Sequence, residues 1–86
     1  MSLTIEVVNQ ANDRIKMYVI GRLDTNTAAQ LEASLDEALT EQVTMLTLDL
    51  AQLEYISSAG LRVLFKASKA LKKKSGHFGL MHLQPQ

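Results

Sequence analysis

The apolar positions of the chain change period several times, and each change marks an element. Leu3, Ile5 and Val7 alternate with Thr4 and Glu6, the period-two pattern of a half-buried strand. Ile15, Met17 and Val19 alternate in the same way with Lys16 and Tyr18. The turn formers of Asn9-Gln10-Ala11-Asn12-Asp13 between them predict a hairpin. Gly21 to Asn26 reads as a loop. The period then lengthens: Ala28, Leu31, Leu35, Ala38 and Leu39 share one face of a helix that ends near Thr40, and Thr27-Ala28-Ala29-Gln30 fits a capping box at its start.

Val43 to Leu50 (VTMLTLDL) is nearly continuous in apolar side chains, the pattern of a central strand covered on both faces. Leu61, Leu64, Phe65, Ser68 and Leu71 predict a second amphipathic helix over residues 58–74. Ser75-Gly76 stops it, with Lys72, Lys73 and Lys74 favourable at its negative end. His77 to Leu83 predicts a last strand. The order ββαβαβ specifies an α/β domain, a mixed four-stranded sheet with right-handed crossovers and helices packed on it.

Composition narrows the function. Eighty-six residues make one small domain. With 47% apolar and 21% charged residues the chain is globular rather than disordered. The nine basic and nine acidic residues cancel, which argues against a nucleic-acid binder. There is no cysteine, so disulfides and thiolate sites are excluded. His77 and His82, five apart in the last strand, project to opposite faces and form no metal pair. The chain has no signal-peptide pattern and no apolar run near the ~20 residues a membrane span needs, which predicts a cytoplasmic protein with no membrane insertion.

Chemistry concentrates in Tyr55-Ile56-Ser57-Ser58-Ala59-Gly60-Leu61, between the apolar strand and the second helix. Ser58 stands where a helix N-cap belongs, and its hydroxyl can accept from a free amide of the first turn. The same amides and the positive helix end favour a phosphate there. Gly60 reads equally as a point of close approach for a partner or phosphate and as a loop glycine at positive φ. An enzyme is not expected, because the serines lack the glycine pattern of a nucleophile elbow and neither histidine is near. No phosphate-binding glycine loop or paired-carboxylate motif is present either.

Two segments carry a family resemblance. Gly21-Arg22-Leu23-Asp24-Thr25-Asn26-Thr27-Ala28 is similar to the segment that leads into the first helix of STAS-domain anti-sigma factor antagonists. Leu48-Asp49-Leu50 with Tyr55 to Leu61 is similar to that family's strand, phosphoacceptor loop and following helix. The match extends over roughly Leu3 to Leu83. It implies one STAS domain over residues 1–86 that lacks the usual C-terminal helix, with Pro85 leaving a sheet edge. Phe78, Leu80 and Leu83 would then be uncovered and favour self-association.

The resemblance further implies a binding switch without a cofactor of its own. The unphosphorylated protein would bind an anti-sigma factor, a GHKL-type serine kinase, and release a sigma factor. That kinase would phosphorylate Ser58 with its own ATP and Mg²⁺, and a phosphatase would reset it. Ser57 is the alternative acceptor, since many relatives carry Asp there. The implied partner-binding residues are Asp24, Thr25, Asn26, Tyr55, Ser57, Ala59, Gly60, Leu61 and Arg62. Asp24 would orient the hydroxyl or, read from the residues alone, enter the helix as a turn residue. Arg62 would meet an acidic partner or the phosphate, while the lysines at 66, 69, 72, 73 and 74 read as a solvated face. The alternative function is a non-phosphorylated STAS subunit of a lipid transporter or stress-signalling complex.

Overall fold

The computed structural model describes residues 2–82. The first hairpin joins β1 (Leu3–Ala11) to β2 (Arg14–Leu23) in an antiparallel register that runs from Leu3↔Gly21 to Ala11↔Arg14. The turn is therefore only Asn12-Asp13, tighter than the expected five-residue loop. Then follow α1 (Thr25–Ala38), β3 (Met45–Asp49), β4 (Leu53–Ile56), α2 (Ser58–Lys73) and β5 (His77–Met81).

The α/β architecture with a mixed sheet is as expected, but the sheet has five strands instead of four. Its order is β1-β2-β3-β5, with β4 also paired to β2. Both β3 and β4 run parallel to β2, β3 along Arg14–Tyr18 and β4 along Gly21–Leu23. They are successive halves of one interrupted strand. The break is a turn in which Asp49 accepts from the Ala51 amide at 3.0 Å and the Leu53 amide donates to Leu50 at 3.1 Å. Leu53-Glu54-Tyr55-Ile56 has no period-two pattern, so the sequence does not predict β4.

Both helices pack on one face of the sheet, α1 against β1 and β2 and α2 against β5. Met17, Val19, Leu23, Leu31, Leu46, Leu48, Leu50 and Leu71 form the fully buried centre of this layer. At ~1.5–3 kcal/mol for each fully buried aliphatic side chain, this layer is the main source of stability. The expectation that the central strand is covered on both faces is corrected. On the far face Met45 and Thr47 are half-buried, and Lys16 sits 3.8 Å from Asp49 and 5.0 Å over the Tyr18 ring. His82 lies beyond the end of β5 with φ +58 and meets the Asp49 carboxylate at 3.0 Å, so strand parity does not govern its direction.

The helix boundaries differ from the sequence reading in a consistent way. α1 starts at Thr25, so Gly21 to Asn26 is not a loop: β2 runs through Leu23 and passes directly into the helix. The capping box is Asp24 with Thr27 rather than Thr27 with Gln30. Gln30 instead reaches the Leu3 carbonyl at 2.9 Å, tying α1 to β1.

In α2 the buried stripe is Gly60, Val63, Leu64, Ala67 and Leu71. Leu61 and Phe65, expected in the core, are 42% and 64% exposed. The helix rolls so that small residues, Gly60 and Ala67, face the sheet and let the backbones approach. Of the residues expected to lack cover, Phe78 is half-buried against the core and Leu80 is 41% exposed. Leu83 and Pro85 lie outside the described residues.

Ser75-Gly76 ends α2 as expected. The Gly76 amide donates to Leu71 at 2.8 Å and the Ser75 amide to Lys72 at 3.1 Å, a Schellman closure with Ser75 at φ +59. A Cβ on Gly76 would stand 2.5 Å from the Thr44 carbonyl oxygen. A left-handed conformation costs an L-residue ~1–2 kcal/mol, partly offset by glycine's greater chain entropy when unfolded. Ser75→Gly should therefore raise stability by ~0.5–1 kcal/mol, whereas Gly76→Ala should lower it. Chemical denaturation of the two variants measures both signs.

Candidate functional site

The ends of β2 and β4 lie side by side, with Leu23 opposite Ile56, and each strand turns at once into a helix. Asp24 caps α1 and Ser57 caps α2. Two further bonds lock the corner: the Ser57 amide donates to the Leu23 carbonyl at 2.8 Å, and the Thr27 hydroxyl donates to the Arg22 carbonyl at 2.8 Å. Two helix N-termini, each with roughly half a positive charge, thus emerge together at one end of the sheet.

The helix cap falls on the other serine of the pair from the one the sequence predicts. Ser57, not Ser58, is the N-cap: its Oγ accepts from the Gly60 amide at 3.2 Å, and the residue is half-buried. β4 ends at Ile56, one residue beyond which the chain must leave extended geometry, and this places the cap at 57. Ser58 is the first helical residue and is exposed, with its hydroxyl outside the cap.

Asp24 serves the local role open to it. Its Oδ1 accepts from the Asn26 and Thr27 amides, both at 2.9 Å. The Thr27 amide is the main cause holding its pKa below the ordinary 3.8, and burial opposes the shift. The Thr27 hydroxyl, the Asn26 amide and the Arg22 charge also lower it. Among the described residues no hydrogen bond joins Asp24 to Ser58. Thr25 and Asn26 are exposed in the first turn of α1, next to this carboxylate.

The remaining candidates divide by exposure. Tyr55, Leu61 and Arg62 are exposed, Ala59 is half-buried and Gly60 is buried. Gly60 is not at positive φ. The close approach it permits is internal: a Cβ there would lie 2.6 Å from Cγ of Leu23 and 3.2 Å from Ile56. Arg22 was missed. It pairs with Tyr55 across β2 and β4 and stacks its guanidinium 4.4 Å from the ring centroid. The period-two run of β2, continued through Arg22, was the only signal, and it does not reveal the β4 partner. Among the described residues no three metal-binding side chains cluster, and no helix is long and apolar enough to cross a membrane.

A sequence profile of the STAS domain matches residues 4–86. The anti-sigma-B factor antagonist of Listeria monocytogenes is 29% identical over 83 residues, covering 96% of this chain and 73% of that protein. The anti-sigma-F factor antagonist RsfB of Mycobacterium tuberculosis is 31% identical over 80 residues, covering 93% and 64%. Among solved structures, the anti-sigma factor antagonist SpoIIAA in its unphosphorylated form superposes with a TM-score of 0.83 at 18% identity, over 95% of this chain and 76% of that one. This confirms the fold. An anti-sigma factor antagonist from Mycobacterium paratuberculosis gives 0.79 at 29% identity, over 92% and 66%.

The division of labour between the serines has a direct consequence for stability. Ser57→Ala removes the cap and should cost ~1 kcal/mol. Gly60→Ala forces Leu23 to move and should cost ~1–3 kcal/mol. Ser58→Ala should be within ~0.5 kcal/mol of the parent. Urea unfolding of the three variants ranks them, and a costly Ser58→Ala beside a neutral Ser57→Ala would reverse the assignment.

Proposed function

The chain belongs to the STAS domain family, and on that footing we propose that it is an anti-sigma factor antagonist switched by phosphate on Ser58. Unphosphorylated, it binds an anti-sigma factor that is also a serine kinase, and so frees a sigma factor. The names of its relatives support the antagonist role. SpoIIAA, which shares its fold, has been solved in both unphosphorylated and phosphorylated forms, and this supports the switch.

The observation that carries the choice of site is the exposure of Ser58 beside a half-buried, capping Ser57. A kinase can reach the Ser58 Oγ without undoing the helix end. Phosphorylating Ser57 would first require breaking its bond to the Gly60 amide. In the transfer, Ser58 Oγ attacks the γ-phosphorus of the kinase's ATP and gives up its proton, and ADP departs. A phosphatase returns the hydroxyl by hydrolysis.

The product carries about −1.5 to −2 charges next to Asp24, Tyr55 and Arg62. The positive helix end tolerates that charge within the free protein. A partner packed over the corner must desolvate it, at a cost of several kcal/mol unless a cation is supplied. The interface ends there without any refolding. Thr25, Asn26, Tyr55 and Arg62 form the exposed surround of the site with the half-buried Asp24, while Gly60 and Ser57 shape it from below. We assign no catalysis to this chain.

Incubation with the anti-sigma factor kinase encoded by the same genome and ATP should add one phosphate, mapped by peptide mass spectrometry to Ser58. Ser58→Ala should abolish it and retain kinase binding, and Ser57→Ala should still be modified. Phosphate on Ser57 would move the site, and no phosphate at all would favour a scaffolding role in a larger assembly.

A further inference from the structure

We propose that the outer stripe of α2 is a docking surface for an acidic amphipathic helix of a partner protein. With 3.6 residues per turn, the side chains of α2 fall into three bands. Gly60, Leu64, Ala67 and Leu71 are buried toward the sheet. Val63, Lys66, Ala67 and Ala70 line the groove shared with α1. The third band, turned away from α1, holds Leu61, Phe65, Ser68 and Lys72, bordered by Ser58, Arg62 and Lys69.

Single exposed apolar residues are ordinary. Here two of them stand one turn apart, and Phe65 is the most exposed large apolar side chain of the described residues. A shallow depression of about 520 Å³ runs along the band and is lined by Arg62, Phe65, Lys66, Ser68, Lys69 and Lys72. The lysines are therefore more than a solvated face: they rim an apolar strip.

Charge identifies the occupant. The chain is neutral overall, yet α2 contains no acidic residue, and Arg62, Lys66, Lys69, Lys72, Lys73 and Lys74 are six of its nine cations. Lys66 is held by Glu32 at 2.7 Å and Lys74 by the Thr40 carbonyl at 2.8 Å. Among the described residues Arg62, Lys69 and Lys72 have no acidic side chain within ion-pair distance. An apolar i, i+4 pair flanked by free cations is complementary to a helix that presents an apolar stripe between carboxylates.

Ser58 heads the same band, two turns before Phe65. This extends the proposed switch, and rests on it: phosphate on Ser58 would place negative charge at the end of a surface that seeks carboxylates, and would compete for Arg62 four residues on.

The test needs no kinase, so its failure is separable from failure of the phosphorylation reading. The ¹⁵N-labelled protein is titrated with a 16-residue amphipathic peptide of leucine and glutamate, with its leucine and lysine counterpart, and with phosphatidylglycerol vesicles. The acidic peptide should shift the amides of Leu61, Phe65, Lys69 and Lys72. Its Kd should rise about tenfold or more in Phe65→Asp, an exposed change expected to leave the fold intact. Lys69→Glu should weaken the same binding, and so should added salt. No response, an equal response to the basic peptide, or a response to vesicles alone would overturn the proposal. So would shifts of these amides with protein concentration alone, which would make the occupant a second copy.

Discussion

The structure depends on the contact between Leu23 and the first turn of α2. Leu23 is fully buried, its carbonyl takes the Ser57 amide at 2.8 Å, and its side chain lies where a Cβ of Gly60 would be. One residue therefore ends β2, anchors the start of α2 and, through the adjoining Asp24, starts α1. Because Gly60 is bare, α2 can descend onto Leu23 and Ile56 until its backbone is almost in contact with their side chains. Any bulk there lifts the helix end and separates the two N-termini.

That contact also determines which serine is free. With the Ser57 amide bonded to the strand beside it, its hydroxyl points back to the helix and satisfies the Gly60 amide. The next residue begins the helix on the solvent side. The chemistry of a tandem serine is thus settled by backbone geometry: one hydroxyl is consumed in holding the corner and the other is left outside it. The same roll of α2 that buries Gly60 and Ala67 turns Leu61 and Phe65 outward, so the exposed serine and the apolar strip are two results of one packing choice.

Much of this was legible in the sequence. The alternation of β2, the 3.6 period of α1 and the Ser75-Gly76 stop each reflect a local rule that the fold obeys, whereas in β1 the alternation holds only to Ile5, since Val7 is exposed. The family resemblance assigns the segments around Asp24 and Ser58 to one site, and the strands that lead into them end side by side. What could not be read depended on distant partners. β4 is four residues without a pattern of its own and exists because β2 extends far enough to receive it. The roll of α2 was misjudged because Leu61 and Phe65 satisfy the helical period as well as Val63 and Ala67 do, and only the closeness demanded by Leu23 favours the smaller set. Arg22 and Tyr55 are 33 positions apart in sequence, and their stacking follows from the strand pairing alone.

The central claim is that charge at Ser58 ends the interaction without unfolding the protein. Titration calorimetry of the anti-sigma factor against the unmodified protein and against protein carrying a single phosphate at Ser58 tests it most directly, with circular dichroism of both forms. Binding should weaken by roughly a hundredfold or more, the equivalent of ~2.7 kcal/mol, while the spectra stay superimposable. Equal affinities for the two forms, or loss of binding together with loss of structure, would contradict it.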